Sequence, residues 1–84
     1  MSAGYIWKSP RIEAAIEVFR LNVESYPESA NAHDSLAEAY LKNGAMELAK
    51  QFHEKAVALD PQGPVGRHAR EVLETMALLD SPPD

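Results

Sequence analysis

His33, Asp34 and Ser35 stand side by side and together hold the three residue types of a hydrolytic triad. Consecutive residues on a helix point about 100° apart, and only those three or four apart face one another. Three neighbours therefore cannot form a relay in which a base meets a nucleophile and an acid orients the base. The other histidines, His53 and His68, make no i,i+4 pair with each other or with His33, so the spacing of a helical zinc site is lacking. There is no cysteine, hence no thiolate ligand and no disulfide framework. No phosphate-cradling glycine loop or nucleophile elbow occurs either. The residues predict a chain that is not an enzyme, without catalytic residues, metal or cofactor, whose histidines belong to a core or its edge.

What must position these residues is a set of helices. In 84 residues there is room for one small domain with a thin core. Hydrophobic residues make up 45% and charged ones 25%, an ordinary globular balance. Eight basic against thirteen acidic residues give a formal charge of −5. Basic residues scattered among carboxylates make no phosphate-binding stripe, so nucleic acid is not an expected partner. No apolar run is long enough for a membrane span, and Met1 to Trp7 lacks the form of a signal peptide. A cytoplasmic location is the expectation.

Along the chain, Ser9 and Pro10 read as the N-cap and first residue of a helix. Ile12, Ala15, Ile16, Phe19 and Val23 recur on one stripe. Val18 and Leu21 widen the apolar surface, as in a helix packed on two sides. Tyr26-Pro27 ends it, because the residue before proline is pushed out of helical geometry. A second helix starts at Ser29, carries His33, Leu36, Ala37 and Tyr40 on one face, and closes at Asn43-Gly44. The third places Ala45, Ala49, Phe52, Ala56 and Leu59 on one face and stops at Asp60-Pro61. So short a link makes helices two and three antiparallel neighbours. In the fourth, Ala69, Val72, Leu73 and Met76 repeat the spacing of His33, Leu36, Ala37 and Tyr40 at an offset of 36 (69 − 33). Two extra residues within Gln62 to Gly66 are expected to absorb the slip. Leu78 and Leu79 are expected to extend its buried face.

An internal period organises these elements. Glu13 with Glu47, Ala15 with Ala49, Val23 with Val57 and Pro27 with Pro61 all lie 34 residues apart (49 − 15). A helical period of that length is the mark of a repeat array. The run His33, Leu36-Ala37, Tyr40, Ala49, His53 and Pro61, preceded by Ala15, Phe19 and Pro27, resembles the tetratricopeptide repeat. His33 stands in place of that motif's first large aromatic, Ala37 of its glycine and His53 of its second aromatic. The resemblance covers about residues 10–80.

It implies an all-α fold, with antiparallel helix hairpins stacked as a short right-handed solenoid. Within a single domain of residues 1–84, residues 1–8 would be an irregular first helix and 9–26 the second helix of a partial repeat. Residues 29–61 would be a full repeat, 64–80 a capping helix and 81–84 a tail. Small residues at Ala37, Ala49 and Ala56 would let paired helices approach closely.

By the same resemblance the function is protein–protein interaction, with a peptide or protein held on the concave face. Asn31, Asp34, Ser35, Glu38, Leu41 and Lys42 are the expected groove residues; the other reading of them is a merely solvated face. Two carboxylates among them favour a basic or neutral partner over an acidic one. Tyr5, Ile6 and Trp7 are expected either to cover the N-terminal end of the stack or to pair two copies as a homodimer. The alternatives are an accessory segment of a larger protein, such as a bacterial hydrolase, and a self-assembling oligomerisation unit.

Overall fold

The computed structural model describes residues 10–80, and within them the chain is all helix and turn, without strands. Four helices follow one another: α1 (Pro10–Ser25), α2 (Ala30–Lys42), α3 (Met46–Leu59) and α4 (Pro64–Asp80). Each packs on the next, and α4 also reaches α2. Tyr5, Ile6 and Trp7, with the expected cap Ser9 and the tail 81–84, lie outside the described residues.

The stops and starts follow from local chemistry. Ser29 caps α2, its hydroxyl accepting a hydrogen bond from the Ala32 amide at 3.1 Å. Such a cap contributes about 1 kcal/mol. At the far end of α2, Gly44 takes φ 80°, the left-handed region open to glycine. The Gly44 amide then donates to the Leu41 carbonyl at 3.1 Å, and the Ala45 amide to the Tyr40 carbonyl at 2.9 Å. This is a Schellman closure, which satisfies carbonyls that the helix end would otherwise strand. It also turns the chain back at once, so that α2 and α3 run antiparallel.

Packing in the α2–α3 hairpin is tight because its contact residues are small. Ala37, Ala49 and Ala56 are fully buried, with Leu36 and His53 the largest side chains wholly enclosed. Enclosing Leu36 contributes roughly 1.5–3 kcal/mol. Leu36, Ala39 and Ile16 of α1 form the centre, with Ile12, Phe19, Val23, Tyr40 and Phe52 packed around it. An aromatic row runs through this layer: Phe52 stacks on His33 at 5.9 Å and on Tyr40 at 5.7 Å.

Three expectations are corrected. Val18 and Leu21 are 61% and 60% exposed, since α1 packs on α2 alone among the described helices. Leu78 and Leu79 do not extend the buried face of α4; both lie about three-quarters exposed, beyond Met76, its last buried residue. No insertion precedes α4, which starts 34 residues after α2 (64 − 30). The offset of 36 is instead a rotation of the helix about its axis, which turns Ala69 and Met76 inward.

The junction of α3 and α4 shows how that rotation is held. The Asp60 carboxylate accepts from the amides of Val65 and Gly66 at 3.2 and 3.4 Å, capping α4 from outside its first turn. A Cβ at Gly66 would run into the backbone carbonyl of Asp60. No helix among the described residues is long and apolar enough to cross a membrane.

Candidate functional site

The α1–α2 junction opens into a groove of about 420 Å³. From α1 it is lined by Arg11, Ile12, Ala15 and Phe19. From α2 come Asp34, Ser35, Glu38, Ala39 and Lys42, and His68 of α4 closes one side. Ile12, Ala15, Phe19 and Ala39 give it apolar walls with two small residues, where a helix could approach closely. Arg11, Asp34, Glu38 and Lys42 supply charges of both signs around them.

Of the expected groove residues, Asp34, Ser35, Glu38 and Lys42 line this space. Asn31 is exposed and Leu41 half-buried, and neither is part of its lining. The α1 residues were not predicted, because the resemblance assigns the concave face to the first helix of each hairpin. The stripe Ile12, Ala15 and Phe19 was legible, but which part of it stays uncovered depends on whether a helix lies on its outer side.

Asp34 is the hub of the polar side. His53 donates from Nδ1 to one carboxylate oxygen at 3.1 Å, and Nδ1 of His68 lies 3.2 Å from the other. The second nitrogen of His68 faces the Glu38 carboxylate at 3.4 Å. Asp34 and Glu38 are one turn apart on α2, so the i,i+4 rule sets them on one face. His53 and His68 arrive from α3 and α4. Asp34 and His68 are themselves 34 residues apart, so the period that pairs Pro27 with Pro61 was a signal for their meeting.

The two histidines differ in setting. His53 is fully buried, and its Nε2 has no hydrogen-bond partner. Burial pushes its pKa below the ordinary 6.5, against the opposing pull of the Asp34 carboxylate. His68 is about half exposed. Asp34, Glu38 and His68 each offer a ligand atom, and these atoms lie within 4.8 Å of one another. Two carboxylates and an imidazole are donors a divalent transition metal accepts. Here the imidazole turns one nitrogen to each carboxylate, so the three groups already satisfy one another. Helical spacing in the sequence missed this trio because it spans two helices.

The adjacent triad types are drawn apart, as the helix geometry requires. His33 is buried and donates from Nε2 to the Pro27 carbonyl at 2.8 Å, tying the α1–α2 turn to α2. Its ring stacks on Phe52, filling the place that the resemblance gives to a large aromatic.

No known family, no curated protein and no solved structure matches this chain. Its functional reading therefore rests on the groove and on the helices that form it.

Proposed function

We propose that this chain is a protein–protein interaction module of the tetratricopeptide type. In this reading it is a short right-handed stack of helix hairpins, and the α1–α2 groove takes up a helical segment of a partner. The observation that carries the reading is the groove itself: apolar and small at its base, charged at its rim, and formed by two helices that pack side by side. Peptide recognition by a groove of this make-up uses the apolar face of an amphipathic helix. The internal period supports it too, with Ala49 and Ala56 enclosed at the positions where a repeat needs small residues. The contact of α2 with α4 fits a stack in which alternate helices share one face. Since Arg11 and Lys42 stand with Asp34 and Glu38, a neutral helix or one of mixed charge is the best match.

A pull-down from native lysate tests this with the double variant Ser35→Arg, Glu38→Lys. Both residues line the groove without holding a buried group, whereas Asp34 holds His53. Loss of a specific partner by about tenfold or more, at unchanged helicity, is the expected result. An identical set of captured proteins would remove the groove from the binding surface. The intact gene sequence decides whether the module acts alone or as the accessory segment of a larger protein.

A further inference from the structure

We propose that the occupant of the α1–α2 groove is helix α4 of a second copy of this chain, so that copies join head to tail. This rests on the reading of the groove as a docking surface and names what docks there.

The two ends of the stack are complementary in kind. In the middle, α3 has α2 on one side and α4 on the other. Helix α1 is the counterpart of α3 at the 34-residue offset, with Ala15 for Ala49 and Pro27 for Pro61. It packs on α2 but has no described helix where α3 has its preceding one. The consequence shows at equivalent positions: Phe52 is half-buried in an aromatic stack, while Val18 (52 − 34) is exposed. Helix α4 has the opposite condition. It packs on α3 and touches α2, and no described helix follows it. A second copy's α4 in the groove would stand to α1 as α2 stands to α3, and to α2 as α2 stands to α4.

Charge gives the direction. Short turns make α1 and α2 antiparallel, which puts Arg11, at the start of α1, beside Lys42, at the end of α2. Asp34 and Glu38 lie towards the other end of the groove. On α4 the exposed residues run from Arg67 and Arg70 to Glu71 and Glu74. Laid parallel to α2, the basic start of α4 meets Asp34 and Glu38, and its acidic middle approaches Lys42 and Arg11. The reversed orientation would set like charges together, which weakens association. Ala15 and Ala39 at the base leave room for the half-buried Leu73 of the incoming helix.

Sedimentation of the full chain over a concentration series tests the proposal. A head-to-tail union leaves one free groove and one free α4, so it does not close at a dimer. The average mass is expected to climb past two copies and keep rising. Ala15→Arg should block the groove and Leu73→Arg the helix, each giving a monomer. An equimolar mixture of the two should form a one-to-one complex and stop there, because one intact union remains. Arg70→Glu replaces Leu73→Arg if the latter loses helicity.

Mass that stops at two copies, with no complex in the mixture, would overturn the proposal. So would a monomer at every concentration. If that monomer shows Trp7 emission shifted by Ala15→Arg, the groove belongs to the chain's own first residues. If it still captures a lysate partner that the Ser35→Arg, Glu38→Lys variant loses, the groove binds another protein. Self-assembly then falls and the interaction reading stands.

Discussion

Helices α1 and α3 descend from the same repeat position, yet they live in different surroundings. In α3, Ala49, His53 and Ala56 are sealed between α2 and α4, and Phe52 stacks between two rings. In α1 only Ile16 is buried, at 8% exposed, while Val18 and Leu21 face outward. The residue types differ little; what differs is the number of neighbouring helices. A repeat position is therefore a place to be covered, and the array around it decides whether it becomes core.

Substitutions can break or sharpen this contrast. The largest effect is expected for Leu36→Ala, at about 2–5 kcal/mol, because a wholly enclosed side chain leaves a cavity. Leu21→Ala on the open face of α1 should stay within about 0.5 kcal/mol. Urea unfolding of both compares them, and equal losses would mean that Leu21 is covered in solution. Next comes the pair of equivalent alanines. Ala49→Leu should overpack the hairpin by about 1–3 kcal/mol, whereas Ala15→Leu, facing the groove, should leave the unfolding midpoint nearly unchanged.

The smallest effect concerns His53. Its folded pKa lies below 6.5, so the unfolded chain takes up more protons as pH falls through that value. Stability from this group is full above about pH 6.5 and declines as pH drops towards the folded pKa, below which no more is lost. The melting midpoint should fall over that window, and His53→Gln should flatten the fall. A slope unchanged in the variant would assign the acid sensitivity to other groups.

Much of the fold was legible in the chain because it is written in local chemistry. Ser29, Gly44 and the prolines at 27 and 61 mark ends by hydrogen-bonding and backbone rules that act within a few residues. The stripe of Ala49 and Ala56 announced a close helix contact for the same reason. The site was less legible. Ser35, Glu38 and Lys42 follow from the face of α2, but the meeting of His53, Asp34 and His68 depends on how three helices are placed. The rotation of α4 was visible as an offset and misassigned to the loop, since a sequence offset does not say whether residues were added or a helix turned. Leu78 and Leu79 look like core by composition, and only the absence of a following described helix leaves them outside.

Gly66 sits 34 residues after Ala32, so the same place in two successive junctions carries a hydrogen in one and a methyl in the other. At Ala32 the methyl is accommodated and buried. At Gly66 the Asp60 carbonyl occupies the space a methyl would need. The two sites therefore differ in how many amino acids they can accept. A library randomised at both should return several small residues at 32 and glycine at 66, so the freedom to mutate is unequal at positions the repeat treats as equivalent.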